Sequence, residues 1–191
     1  MALEKSHSSN NAGFSLVEVV IATGILAAAL VSLAQLFAVA TAANVSARNT
    51  GTAMVYAEQK MEQLRALSYT LDSDGLPITD TTTDTSVYPP AATGGKGLSP
   101  AATNTLQANE VGYVDYLDHL GQQLGGGPTD LAQASWIRRW SIEPLPTNPN
   151  NVIVIQVLVT RRRDRGTADL GSVARSTDEA RLMTIKSRKV S

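Results

Sequence analysis

Glu18 is the only residue with an ionisable side chain between Leu16 and Ala43, a stretch made almost entirely of apolar and small residues. A charged side chain in such a stretch is costly and by default marks a functional position. Glu18 is therefore the first residue that could do chemistry, and its carboxylate needs a compensating positive charge.

Candidates for catalysis or metal binding are few. The chain has no cysteine, which excludes disulfides, zinc–thiolate sites and cysteine nucleophiles. Of its two histidines, His7 lies near the N-terminus and His119 follows Asp115 and Asp118. A lone histidine indicates a surface residue, because a metal site takes several ligands. No nucleotide-binding, hydrolase or metalloprotease motif occurs, and we predict no catalytic residue, no metal site and no cofactor.

Two short polar clusters have structural interpretations. The run Asp72-Ser73-Asp74-Gly75 lacks the third acidic or amide ligand before the glycine and the later glutamate of a calcium-binding loop, and it predicts a turn. The cluster Arg161–Arg165 follows a strand-like run and is interpreted as a solvated loop, with contact to phosphate or anionic lipid left open. No aromatic residue interleaves with these arginines, as a base-stacking site would require.

Charge is unevenly distributed along the chain. Residues 14–135 carry 4 Lys/Arg against 11 Asp/Glu, whereas residues 136–191 carry 11 against 5, and the net charge is −1. This balance argues against nucleic acid as a general partner.

The apolar stretch around Glu18 is long enough to cross a membrane. A helix from Leu16 to Ala43 spans ~42 Å, more than the ~30 Å hydrocarbon core of a bilayer. A cleaved secretory signal is the alternative, since Ala38-Val39-Ala40 fits an A-x-A cleavage site. The apolar core of such a signal would be only ~7–15 residues long, about half of what is present.

The residues before this stretch carry a specific pattern. The sequence G-F-S-L-V-E, Gly13 to Glu18, joins a Gly–Phe junction to a glutamate at the fifth position after it, and a long apolar run follows. This combination resembles the N-terminal motif of type IV prepilins, which include pilins and the pseudopilins of type II secretion. The resemblance covers residues 13–43 and, more loosely, the chain up to Leu67.

The resemblance implies how the chain is processed and located. A prepilin peptidase would cleave after Gly13, which removes residues 1–13 as a leader, and would methylate the new amine of Phe14. Residues 14–43 would remain as a single-pass anchor in the inner membrane and as filament core, with the C-terminal domain outside the cytoplasm. Glu18 would pair with the N-terminal amine of a neighbouring subunit, and pairing makes its charge tolerable.

The chain differs from major pilins, which commonly have a proline in the apolar half. No proline occurs between Phe14 and Leu76, and YAEQKMEQLRAL resembles minor pilins of the PilV type and the pseudopilin I of type II secretion. The implied function is a minor pilin or pseudopilin subunit of a type IV pilus or type II secretion pseudopilus. Its implied partners are prepilin peptidase, other pilin or pseudopilin subunits, the inner-membrane assembly platform and the lipid bilayer. The alternative is a membrane-anchored extracytoplasmic binding module that enters no filament.

Residues 44–68 are predicted to continue the helix as an amphipathic half. Apolar, small or β-branched residues recur at spacings of three and four, a pattern typical of a helix with one buried face: Ala47, Thr50, Met54, Ala57, Met61 and Leu64. Gly51 is a candidate point of local unwinding, because glycine weakens a helix by up to ~1 kcal/mol.

The rest of the chain predicts a loop region and a small sheet. Residues 69–109 are rich in Thr, Ser, Pro, Gly and Asp, and residues 69–135 are predicted to form a variable loop region. Within it we expect a short strand or helical turn at residues 111–120 and little cost for replacements within Thr81–Ser86. In residues 136–191, three strand-forming runs predict an antiparallel meander: Trp136–Ile142, Val152–Thr160 and Leu182–Lys186. The predicted fold class is therefore α+β and pilin-like, with a long N-terminal helix packed on a small antiparallel sheet.

Overall fold

A computed structural model describes residues 13–162 and 178–190 of the 191-residue chain. These residues form one helix, α1, and eight strands, β1–β8. Contacts divide the chain into two compact units, Met1–Asn44 and Val45–Ser191. The predicted leader lies outside the described residues except for Gly13, as does the part of the arginine cluster from Arg163 onward.

Helix α1 extends over Leu16–Ala66 as a single helix. It contains the predicted apolar half and the predicted amphipathic half, and it is helical at Gly51. The expected unwinding at Gly51 is therefore wrong: one glycine costs a helix little when the residues on both sides are good helix formers.

The strands form two sheets. The larger sheet has five strands in the order β4-β3-β5-β6-β7, all antiparallel to their neighbours. The smaller has the order β2-β1-β8, in which β1 and β8 run parallel. The strand bounds are Tyr69–Leu71 (β1), Pro77–Thr79 (β2), Val114–Leu117 (β3), Gln123–Gly125 (β4), Trp136–Pro144 (β5), Val152–Arg161 (β6), Glu179–Ser187 (β7) and Lys189–Val190 (β8).

Strands β5, β6 and β7 confirm the predicted antiparallel meander. Their register is regular, with Trp140 opposite Val157 and Gln156 opposite Met183. In β6 every second residue is buried, as the period of two in its β-branched run requires: Ile153, Ile155, Val157 and Val159.

The C-terminal part of α1 covers this buried face, and one hydrophobic cluster joins the helix to β5 and β6. The predicted helical stripe is correct for Ala57, Met61 and Leu64, which are buried. It is wrong for Met54 and Ala47, which are exposed. The buried face is instead rotated and is completed by Ala53 and Lys60.

Residues 69–135 contain four short strands in addition to irregular segments. The uncertain stretch at residues 111–120 is resolved as strand β3, which is buried along its whole length between β4 and β5. Thr85 and Ser86 are also buried, so the expectation that all of Thr81–Ser86 is tolerant to replacement is wrong. The fold class itself is confirmed: α+β, with a long N-terminal helix and antiparallel sheet in a pilin-like arrangement.

Candidate functional site

The three predicted site residues lie at the N-terminal end of α1, within the first unit. Gly13 and Phe14 precede α1, and Glu18 lies in its first turn. The backbone N–H of Val19 donates to the carbonyl of Ser15 at 3.2 Å, so regular helical bonding begins directly around Glu18. A carboxylate in the first helical turn interacts favourably with the helix dipole. All three residues are exposed, and Phe14 is 82% exposed.

The large apolar side chains of the first part of α1 are also exposed, including Leu16, Ile25 and Phe37. A helix that is apolar on all sides requires lipid or protein around it. Two of its hydroxyl groups are satisfied within the helix: Thr23 Oγ1 donates to the carbonyl of Val19 at 2.9 Å, and Ser32 Oγ to that of Ala28 at 2.9 Å. The segment is long and apolar enough to cross a membrane.

A second site lies in the unit Val45–Ser191, where three charged side chains meet in the interior. Lys60 on α1, Asp115 on β3 and Arg138 on β5 form a buried charge cluster. Lys60 Nζ lies 2.7 Å from Asp115 Oδ2. Arg138 donates to both carboxylate oxygens of Asp115, from Nε and from Nη2, at 2.8 Å each. None of the three side chains is more than 3% exposed.

Neighbouring groups complete this cluster. Lys60 Nζ also donates to the carbonyl of Thr85 at 2.5 Å and lies 4.3 Å from the centroid of the Trp140 ring. Gln123 Nε2 donates to Asp115 Oδ2 at 2.7 Å. Burial lowers the pKa of Lys60 to about 8, although the charge of Asp115 acts in the opposite direction.

Sequence reasoning missed this cluster although a local signal was present. Lys60 stands three residues after Ala57 and one before Met61, on the helical face that is buried. Arg138 alternates with Trp136 and Trp140 along β5 and therefore shares their side of the sheet. A basic residue at such a position is buried only where an opposite charge meets it, and the partner Asp115 lies in a distant part of the chain.

The other residues considered from sequence have structural roles or no role in a site. His119 is exposed, and the described residues contain no group of three or more potential metal ligands. Asp72 Oδ1 accepts from the backbone N–H of Asp74 and of Leu76, which is the predicted turn. In the arginine cluster, Arg161 is exposed and Arg162 Nη1 donates to the carbonyl of Ala132 at 3.0 Å.

Comparison with known proteins bears on the first site only. Residues 8–34 match the family described as the prokaryotic N-terminal methylation motif. No curated protein and no solved structure matches the chain. The matched range includes Gly13, Phe14 and Glu18, so the chain carries a prepilin-like methylation motif at its N-terminus.

Proposed function

We propose that the chain is a minor pilin or pseudopilin, cleaved after Gly13, methylated at Phe14 and assembled into a type IV pilus or a type II secretion pseudopilus. The observation that carries this proposal is the methylation motif at residues 8–34. An apolar helical segment follows the Gly–Phe junction directly, and its large side chains are exposed. A simple membrane anchor would need neither this junction nor a carboxylate inside the apolar run.

Glu18 has the role of an assembly residue in this proposal. Its carboxylate lies on the same helix as exposed apolar residues such as Val17 and Val20. Packing of such helices removes them from water and leaves the carboxylate in a medium where an unpaired charge is costly. The free amine of a neighbouring subunit's Phe14 supplies the opposite charge, and this pairing fixes the register between the helices.

The proposed subunit is structural, and its surroundings follow from the same motif. A prepilin peptidase acts on the Gly13–Phe14 bond, residues 14–43 remain in the inner membrane, and the unit Val45–Ser191 lies outside the cytoplasm. The lipid bilayer, an inner-membrane assembly platform and other pilin or pseudopilin subunits are its partners.

Mass spectrometry of the mature protein tests the proposal. The full-length chain, produced in a host with a prepilin peptidase, should begin at Phe14 and carry one added methyl group. A Gly13→Leu variant should keep its leader, because the bulky side chain blocks the cleavage position. The matched control is Gly24→Leu, which introduces the same side chain inside α1 where there is room for it; it should be processed like the parent.

A mature N-terminus near Thr41, directly after Ala38-Val39-Ala40, would identify the segment as an ordinary secretory signal and overturn the proposal. Normal processing of Gly13→Leu would place the cleavage elsewhere and overturn it as well.

A further inference from the structure

A cleft opens beside the buried charge cluster, within the unit Val45–Ser191. It has a volume of about 690 Å³, within the ~300–1,000 Å³ range of small-ligand pockets. Leu117 and Arg138 line it and are buried, whereas Tyr88 lines it and is 77% exposed. Glutamine side chains from α1 and from the β3–β4 hairpin supply most of its polar lining, among them Gln63 and Gln123.

The charge next to the cleft is positive. Two cations, Lys60 and Arg138, share the single carboxylate of Asp115. Asp84 is half-buried and also raises the pKa of Lys60, less strongly than Asp115 does. A buried excess of positive charge is stabilised by an anion at the adjoining opening.

Arg138 can present that charge to a ligand. Two of its N–H groups bind Asp115, and Nη1 reaches the carbonyl of Tyr56 only at 3.4 Å. A guanidinium group has five N–H donors in a planar fork that matches the geometry of a carboxylate. Its place in the lining of the cleft therefore favours a carboxylate among anions.

The side chain of Gln63 places a second requirement on the ligand. Its Oε1 atom is buried and has no hydrogen-bond partner among the described residues. A buried acceptor without a donor is unfavourable and needs an explanation. Because Gln63 lines the same cleft as Arg138, a ligand with an N–H close to its carboxylate would satisfy both groups.

We propose that this cleft binds a carboxylate with a neighbouring amide N–H, the chemistry of a free peptide C-terminus or of an N-acylated amino acid. The carboxylate is bound by Arg138, the amide N–H donates to Gln63 Oε1, and the side chain lies between Leu117 and Tyr88. The site lies wholly within residues 45–191 and is independent of the processing of Gly13.

The binding is tested on the full-length protein in detergent micelles by tryptophan emission and calorimetry. Trp140 is a local reporter because its ring lies against Lys60. The probe is N-acetyl-trialanine with a free carboxylate, and its C-terminal amide is the matched control ligand. We expect the free acid to bind at least tenfold more tightly than the amide. N-acetyl-alanine distinguishes the two kinds of ligand. If it binds as tightly as N-acetyl-trialanine, the ligand is an acylated amino acid; if it binds at least fivefold more weakly, the ligand is a peptide C-terminus.

Two variants distinguish binding in this cleft from nonspecific binding of anions to the protein. Gln63→Met keeps the side-chain length and removes the acceptor, so it should weaken binding of the free acid at least fivefold. Gln107→Met makes the same change at an exposed position outside the cleft and should bind like the parent. Equal binding of acid and amide, unchanged binding by Gln63→Met, sodium sulfate competing as well as the peptide, or no binding of the free acid would each overturn the proposal.

Discussion

Lys60 Nζ lies 2.7 Å from Asp115 Oδ2, and neither side chain is exposed to solvent. Because Arg138 binds the same carboxylate, Asp115 is the shared partner of two buried cations. The three residues come from α1, β3 and β5, so the cluster fixes how the helix lies on the sheet. Loss of the single carboxylate should therefore lower the stability of the protein more than loss of one of the two cations.

The first prediction compares the loss of the shared carboxylate with the loss of one cation. Asp115→Asn leaves two buried cations without a counterion and should lower the free energy of unfolding by about 3–5 kcal/mol. Lys60→Met leaves Asp115 in its two-bonded pair with Arg138 and removes a desolvated charge, so it should change stability by less than about 1 kcal/mol. Urea denaturation of the detergent-solubilised protein measures both, with emission from Trp136 and Trp140 as the signal.

Asp74→Asn is the control, because Asp74 is exposed and its replacement should stay within about 0.5 kcal/mol of the parent. If Lys60→Met were as destabilising as Asp115→Asn, the lysine would be an essential partner of the carboxylate and the description of a shared counterion would be wrong.

The second prediction concerns pH. The folded chain releases the Lys60 proton near pH 8, because the pKa is lowered to about 8, whereas the unfolded chain holds it up to the ordinary lysine pKa of 10.5. Between these values the unfolded state binds more protons, so stability rises with pH. The full effect corresponds to roughly 3 kcal/mol. Below about pH 8 both states are protonated and Lys60 contributes no pH dependence.

The measurement is the difference in unfolding free energy between the parent and Lys60→Met from pH 7 to pH 10. The parent should gain stability relative to the variant as pH rises above about 8. Lys186, whose pKa burial lowers, and Tyr116, whose pKa burial raises to about 12, titrate in both proteins and cancel in the difference. A difference that stays flat, or that falls with pH, would contradict a lowered pKa at Lys60.

The third prediction tests which face of α1 is buried. Met61 is 6% exposed and belongs to the cluster that contains Ile155 and Val157, whereas Met54 is 37% exposed. Met61→Asp should destabilise the protein by several kcal/mol, because it buries an unpaired charge. Met54→Asp, the same change seven residues earlier, should stay within about 1 kcal/mol of the parent. Similar urea midpoints for the two variants would show that the helix is rotated from the orientation described.

The sequence alone predicts those elements whose residues follow a local periodic pattern. The β-branched run of β6 has a period of two, and Ile155 and Val157 face the core as expected. The continuous helix followed from the absence of proline between Phe14 and Leu76. The Gly13–Phe14 junction is a local feature of the sequence, and it lies within residues 8–34, which match the methylation-motif family without reference to a fold.

Features that depend on contacts between distant segments of the chain could not be predicted from the sequence. Two overlapping stripes exist in the second half of α1, one through Met54 and one through Ala53 and Lys60. The charge of Lys60 makes the second stripe the less favourable one when only the sequence is considered, since a buried lysine requires a partner. That partner, Asp115, lies in a short strand inside a loop-like region and is brought to the helix only by the fold. The burial of Thr85 has the same origin, because its carbonyl accepts a hydrogen bond from Lys60.

The last prediction concerns Glu18 and tests assembly separately from processing. Glu18→Ala should be cleaved after Gly13 and inserted into the membrane like the parent, because removal of a charge from an apolar run favours insertion. It should fail to enter filaments, since the amine of the neighbouring Phe14 is then left without a counterion in an apolar core. Mass spectrometry of the membrane fraction measures processing, and immunoblotting of sheared filaments measures incorporation.

The control for this variant is Thr23→Ala, which removes a polar group from the same segment without changing its charge. The Thr23 hydroxyl is bonded to the helix's own carbonyls, so its loss should leave both processing and incorporation intact. Glu18→Asp keeps the carboxylate on a shorter side chain and should recover part of the incorporation. If Glu18→Ala entered filaments as well as the parent and Thr23→Ala, the carboxylate would have no role in pairing subunits, even if cleavage after Gly13 were demonstrated.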